Sequence, residues 1–485
     1  MPVEPGAPGE GPGTIGTLAD LAPVVKVDPQ VPRASGADAI DVHNYVFLDD
    51  GQVAKQKQPT TGQRAADPLA PPGGATAAAD TAAPRPFTYP EQRNYNLNFT
   101  VDQVVTQVDN SYSNQFYQPF TGAAALNPGL SGLTRMAISD LFEDHRLIGG
   151  FRLALDLNNN DYLLIYENLK RRMDKRITFQ RQAFQELVGF GVVKVHTHNV
   201  RYQLSWPFSE LASVRGSVMY RNDRYVLQAI DQASLRSGNF NDHMVGAKLE
   251  YVFDSSIPRG LNLWTGWKLK VFAEHYRQPV ERTTDMTVVG MDLRHSLKVH
   301  RDLIWVTRLA GSSSLGSRKL MHFLGGVDNW LFARVDNSIP IDFAQNYFYQ
   351  TMAVPMRGFY YNARNGSSFG VFNTEFRVPI VRYLANKPIR SDFFNHLQIA
   401  LFGDVGAAWT GSDPYAQDNT FNQVHIVRNP LTITLNNLRE PIIVGYGFGL
   451  RTRLLGYFVR ADWAWGVDDG VVLPQVFHFS LSLDI

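Results

Sequence analysis

From about Tyr95 to its end, the chain alternates apolar and polar residues with a period of two, in segments of about ten residues separated by polar or glycine-containing turns. In Val289–Val299, Val289, Met291, Leu293, Leu297 and Val299 share one face, and Gly290, Asp292, Arg294, Ser296 and Lys298 share the other. Val245, Ala247, Leu249, Tyr251 and Phe253 oppose Lys248 and Glu250, while Trp267, Leu269 and Val271 oppose Lys268 and Lys270. Near the carboxy terminus, Tyr446, Phe448, Leu450 and Leu454 alternate with Gly445, Gly447, Gly449, Arg451 and Arg453. In the next segment Tyr457, Val459, Ala461, Trp463 and Trp465 face away from Arg460 and Asp462. A closing strand over Phe477–Ile485 puts Phe477, Phe479, Leu481, Leu483 and Ile485 on one side.

Such candidate strands lie near residues 96, 133, 146, 160, 175, 199, 212, 244, 264, 286, 302, 369, 397, 442, 457 and 476. A soluble sandwich alternates too, so the period alone does not choose between architectures. The number of segments, the wide aromatic face, and long loops alternating with short turns favour an all-β, transmembrane antiparallel β-barrel of about sixteen strands. Charged faces then point into the lumen, because Arg or Lys facing lipid at mid-depth costs about 2–4 kcal/mol. The predicted barrel occupies residues 94–485.

Composition changes this picture in a few places. Phe and Tyr number 30 and 20, as suits membrane-interface rings, and mean hydropathy is −0.20 with no apolar run near the roughly 18 residues of a spanning helix. Lys and Arg total 46 against 45 Asp and Glu, so no basic excess points to nucleic acid. Cysteine is absent, which removes disulfides, thiolate metal sites and cysteine nucleophiles. Residues 1–93, rich in Pro, Gly and Ala, read as a mostly disordered linker, with Asp41–Phe47 as an island that could dock as a short strand. The start, MPVEPGAPGEGPG, has neither the basic nor the apolar region of a signal peptide. A barrel must first cross the inner membrane, so the expectation is an excised fragment or a misassigned start.

Three stretches follow one another in the last third of the chain: Met356-Arg-Gly-Phe359, Gly370-Val-Phe-Asn-Thr-Glu-Phe-Arg-Val-Pro379 and Leu401-Phe-Gly-Asp-Val-Gly406. Together, and in this order, they resemble the barrel of the bacterial surface antigen superfamily, which includes the BamA assembly proteins and the two-partner-secretion transporters. The resemblance implies an integral protein of the bacterial outer membrane with a long luminal loop between the eleventh and twelfth strands. It further implies that the loop tip, Arg357, Gly358 and Phe359, reaches into the lumen, with the Arg357 guanidinium on the Asp404 carboxylate. Strand motif residues Asn373, Glu375, Arg377 and Gly406 would line the lumen, and Phe477, Phe479 and Ile485 would belong to the closing strand. Side-chain parity agrees: Asp404 shares a face with Gln398 and Gly406, and Glu375 and Arg377 oppose Phe372, Phe376 and Val378.

The chain also departs from that pattern. Assembly and secretion members carry small mixed helix–strand periplasmic domains that residues 1–93 do not suggest, and Ile485 stands where many barrels end in an aromatic. Ser139-Asp-Leu-Phe-Glu-Asp-His145 and Gly149-Gly-Phe-Arg152 are similar to relatives in which a TolB-like β-propeller precedes the barrel.

Other motifs point to plainer roles. Gly366-Ser-Ser-Phe-Gly370 matches the nucleophile-elbow pattern around Ser368, but it leads into a strand and the elbow needs a helix. His196 and His198 lie on one side of a strand with no evident third metal ligand. The run Gly445–Gly449 precedes no helix, so glycines facing a crowded lumen explain it better than a phosphate loop. The expectation is a barrel with no enzymatic site, metal or cofactor. Its partners are outer-membrane lipid and either client polypeptides or a periplasmic module. The function so implied is polypeptide insertion or translocation, or anchoring of such a module. The alternatives are a passive pore or small-solute transporter, and an outer-membrane hydrolase using Ser368 or a luminal carboxylate.

Overall fold

The computed structural model describes residues 97–109, 117–120, 122, 131–154, 159–188, 191–228, 238–279, 284–384, 389–417, 419–428, 431–436 and 438–481. The expected linker over residues 1–93, its island at Asp41–Phe47 and the terminal Ile485 lie outside them. Sixteen strands pair antiparallel, each with the next in the chain. They are β1 (Phe99–Asp109), β2 (Ser131–Asp140), β3 (His145–Ala154), β4 (Asn160–Asn168), β5 (Asp174–Val188), β6 (Gly191–Pro207), β7 (Ala212–Gln228) and β8 (Phe240–Asp254). The second half comprises β9 (Leu263–Arg277), β10 (Asp285–His300), β11 (Leu303–Leu315), β12 (Ser368–Val378), β13 (Gln398–Trp409), β14 (Ile443–Leu454), β15 (Tyr457–Asp468) and β16 (Val476–Ser480).

Every one of the sixteen alternating segments became a strand because alternation satisfies both surroundings at once. Phe151, Leu164, Val218, Leu249, Val271, Leu401 and Phe448 are exposed on the outer face. Thr178, Gln180, Asn199, Asp223, Glu274, Glu375 and Asp404 are buried on the inner one. No helix is long and apolar enough to cross a membrane among the described residues. A sheet whose outward face is apolar around its run, with the polar face within, belongs in a bilayer.

Strands β5 to β10 run 15–17 residues, longer than the segments the alternation marked. About 9–11 residues suffice to cross a bilayer, so these strands project beyond it. The difference arises because at these ends the outward face turns polar, as at Arg181, His196 and Arg224, while apolar Phe184, Val195, Met286 and Val288 are buried on the inward one, so the apolar-out alternation stops. Leu455 and Gly456, both at positive φ, close the two-residue turn between Leu454 and Tyr457, the geometry that matches strand twist.

The connection between β11 and β12 enters the lumen and forms a second sheet. Its strand order is Arg364–Gly366, Lys319–Leu324, Tyr347–Ala353, then Gln118–Pro119 contributed by the β1–β2 connection. Lys319–Leu324 and Tyr347–Ala353 pair in parallel, and the outer two pairings are antiparallel. One apolar cluster joins Leu324, Met356 and Phe359 to Ala310, Val371, Ala408 and Ile443 of β11 to β14. A second joins Leu320, Phe348 and Tyr349 to Met219, Met244, Tyr276, Met286 and Val288 of β7 to β10. The inserted sheet therefore packs on both walls.

Among the described residues no ladder joins β1 to β16. The free edge of β16 is occupied by the inserted loop instead: Trp330 forms an antiparallel bridge with Ser480, and Leu331 N–H donates to the Phe479 carbonyl at 2.9 Å.

Candidate functional site in the barrel lumen

The loop tip turns at Gly358, whose φ of +88° and close approach to the Trp465–Gly466 backbone leave no room for a Cβ. Phe359 is buried beside Met356, and an added Cβ at Gly406 would touch Met356 and Leu324. A Cβ on Gly445 of β14 would stand 1.9 Å from the Arg357 carbonyl oxygen, so the bare backbone at this position lets the tip lie against the wall.

Arg357 is held from several sides. Its Nε donates to Asp404 Oδ2 at 2.7 Å and its Nη2 to Asp404 Oδ1 at 2.8 Å, a forked pair. Its backbone N–H donates to the same carboxylate at 3.0 Å, and Nη1 donates to Glu375 Oε2 at 2.6 Å. The guanidinium carbon lies 3.7 Å from the Phe402 ring centroid, a cation–π stack.

Asn373 Nδ2 donates to Asp404 Oδ1 at 2.8 Å and to the Pro355 carbonyl at 2.9 Å, tying strand to loop. Arg377 Nε donates to Glu375 Oε1 at 2.9 Å, and its Nη1 to the Asn262 carbonyl in the β8–β9 turn at 2.8 Å. The structure thus brings together Arg357, Gly358, Phe359, Asp404, Asn373, Glu375, Arg377 and Gly406. Phe477 and Phe479 lie apart from them on the outer face of β16, stacked with centroids 6.4 Å apart.

The charge network runs further than the motifs indicated. Arg451 of β14 donates to Asp462 Oδ1 of β15 at 2.5 Å and lies 3.7 Å from Glu375 Oε2. Arg460 donates to Ser480 Oγ at 2.9 Å, and His478 Nε2 accepts from Gly358 N–H at 3.1 Å. Through these contacts the loop tip touches the last strand. The parity of Arg451, Asp462 and His478 already placed them on the inner face; their partners lie far away in sequence, and alternation carries no information about that.

A second anchor, on β7 to β9, carries no motif. Arg221 Nε donates to Asp223 Oδ2 at 2.8 Å, and the guanidinium stacks 4.2 Å from the Tyr349 ring centroid. Arg221 also donates to the Tyr117 carbonyl. Tyr117 and Tyr276 hydroxyls both donate to the Glu274 carboxylate, at 3.2 and 2.5 Å. Lys248 Nζ pairs with Glu274 at 2.7 Å.

Ser368 opens strand β12 and is not at a strand-to-helix elbow; its hydroxyl donates to the Gly411 carbonyl at 3.1 Å and meets Ser313 Oγ at 2.9 Å. His196 and His198 share parity with Val200 and Tyr202, which are exposed on the outer face. Among the described residues no group of three or more His, Asp or Glu is placed to hold a metal ion.

No family model matches the chain, and no curated protein matches it. Among solved structures it is similar to BamA from Haemophilus ducreyi lacking POTRA domains 1-3, with TM-score 0.51 and 10% identity over 79% of this chain and 70% of that one. It is also similar to CdiB from Acinetobacter baumannii (TM-score 0.41, 15% identity, 80% of this chain, 60% of that one). CdiB from Escherichia coli gives TM-score 0.41 and 11% identity over 80% of this chain and 67% of that one. At such identity the BamA likeness speaks for the fold, and the fold with its apolar outer face is that of an integral outer-membrane β-barrel.

Proposed function

We propose that the chain is a surface antigen superfamily barrel that inserts polypeptides into the outer membrane or passes them across it. The observation that carries this reading is where the barrel is firm and where it is not. The lumen is crossed by a sheet anchored on both walls, by Arg357 on one side and Tyr349 on the other. The backbone edge of β16, in contrast, is met among the described residues by one short loop bridge at Trp330–Leu331. An edge strand presents unpaired backbone groups that a client strand can satisfy by β-augmentation. A client that displaces that bridge gains a template at the seam without the loop sheet leaving the lumen.

The BamA-like fold and the Arg-Gly-Phe, Asn-x-Glu-x-Arg and Phe-x-Asp-x-Gly motifs support the assignment. The inserted sheet weighs against a passive pore, and Ser368, bonded to a carbonyl and a hydroxyl, weighs against a hydrolase. The test is controlled depletion of the chain with quantification of the outer-membrane and secreted proteomes. A broad loss of barrels or secreted proteins before general envelope collapse is the expected result. An unchanged proteome would reject the insertion and export role and leave a barrel that anchors a periplasmic module.

A further inference from the structure

The outer face of β5 to β8 changes character within one row of the sheet. Phe179, Val200, Tyr220 and Val245 are exposed, apolar and in register across these four strands. The next row towards the β5–β6 turn is Arg181, His198, Asn222 and His243, and the one beyond it is Ala183, His196, Arg224 and Asn241. Lys194 follows, paired with Gln185 and Val226.

All these side chains share the parity of the lipid-facing residues. The charged groups that weigh most on His196 are cations: Arg181, Lys194, His198 and Arg224. Arg181 meets neutral partners, donating to Asn160 Oδ1 at 2.6 Å, lying 3.3 Å from His196 Nδ1 and stacking 5.5 Å from the Tyr162 ring centroid. The nearby carboxylate, Asp223, points into the lumen, where it is buried and bonded to Arg221 and Thr197. Among the described residues no carboxylate forms an ion pair with Arg181, Lys194, His196, His198 or Arg224.

Height decides what meets this patch. His198 and His196 lie eight and ten residues from Trp206, the exposed aromatic at the other rim of the same strand. At about 3.3 Å per residue and a tilt near 40°, they sit ~20 and ~25 Å above it, where an apolar band ~25 Å tall ends. The patch lies on the side of the long loops, which in barrels of this kind is the outer one. It spans four strands, or ~15 Å at about 4.8 Å per strand. Cations fixed on the wall at headgroup height, with no carboxylate paired to them among the described residues, match an anionic headgroup.

We propose that Arg181, Lys194 and Arg224, with His196 and His198 between them, form an external site for the phosphate of an anionic lipid in the outer leaflet. The guanidinium of Arg181 can fork onto a phosphate, while Lys194 and Arg224 close on it from the neighbouring positions.

The test uses the full chain folded in neutral phosphatidylcholine nanodiscs doped with diphosphorylated lipid A, scoring lipid retained after exchange into neutral lipid. Arg181→Gln/Lys194→Gln/Arg224→Gln should lower retention on the order of a hundredfold, about fivefold per charge. Arg172→Gln, whose guanidinium stacks on Trp206 at the opposite rim, should leave it unchanged. The exposed Arg224→Gln alone should lower retention about fivefold, which keeps the test open should the triple variant fail to fold. Wild-type retention by both the triple and the single variant, or equal retention of dephosphorylated lipid A, would overturn the site. Complete competition by millimolar inorganic phosphate would assign it to a free anion and overturn the lipid reading. Because the readout is lipid retention, it stands or falls apart from the export role.

Discussion

Replacing Arg357 by alanine removes three side-chain hydrogen bonds, two to Asp404 and one to Glu375, together with the stack on Phe402. Breaking a buried charge pair from one side costs about 3–5 kcal/mol, because the remaining charge keeps its desolvation penalty. Here the abandoned carboxylates retain some partners: Asp404 keeps Asn373, and Glu375 keeps Arg377 at 2.9 Å and Arg451 at 3.7 Å. The effect should therefore fall near the low end, about 3 kcal/mol. Barrels of this size unfold irreversibly, so the quantity to measure is a rate. If the latch is lost before the unfolding transition state, that energy corresponds to unfolding faster by on the order of a hundredfold. The assay is conversion of the SDS-resistant folded band to the unfolded band over time in urea, at fixed lipid and temperature. Arg357→Lys should fall between wild type and alanine, since an ammonium cannot fork onto Asp404 while also reaching Glu375. Unfolding rates of Arg357→Ala and Asp404→Asn indistinguishable from wild type would refute the reasoning.

Gly445→Ala should push the loop tip off the wall and expose the loop to protease, because its Cβ falls 1.9 Å from the Arg357 carbonyl; Gly370→Ala, with nothing within 4 Å, is the matched control that should stay resistant. Leu331→Pro removes the N–H that reaches the Phe479 carbonyl and should raise amide hydrogen exchange in β16 at least tenfold, with β6 and β7 unchanged. In planar bilayers the intact chain should pass no large steady current, and a variant lacking residues 319–366 should pass one; a large steady current from the intact chain would show that the inserted sheet leaves a pore.

The wall was legible in the sequence because a strand between lipid and lumen must alternate, and each of the sixteen segments marked by alternation is a strand. Strand length was not, since at Arg181, His196 and Arg224, near the edge of the lipid band, the outward face turns polar and the apolar-out pattern stops. Within the lumen, the Arg357 and Asp404 pairing was suggested by motif and parity together. Parity put Glu375 on the same face without saying which guanidinium it would meet; that depends on how deep the loop tip reaches. The second anchor left no trace. Tyr349 and Tyr117 belong to segments without period, and Gln118–Pro119 joins the inserted sheet from a connection some two hundred residues upstream. Contacts made by irregular loops are set by the space the walls leave, and that space exists only after the walls have formed.

The last strand ties these contacts to one another. Among the described residues its ladder to β15 runs from Arg460 to Ala464, whereas β6 and β7 pair continuously from Val192 to Pro207. The inserted loop adds to the hold on this strand: the Gly358 N–H on His478, the Trp330 bridge to Ser480 and the Trp330 ring 4.3 Å from the His478 centroid. Arg357 adjoins Gly358, so its loss frees the same tip that supports His478, and Leu331→Pro frees the other support. If both supports serve one strand, the two changes share a consequence and their effects will not add. The double variant Arg357→Ala/Leu331→Pro should then unfold more slowly than the product of the single effects predicts, by a coupling of about 1 kcal/mol or roughly fivefold. Strict additivity would mean that Arg357 secures only the β12–β13 wall and that the last strand is held independently of the latch.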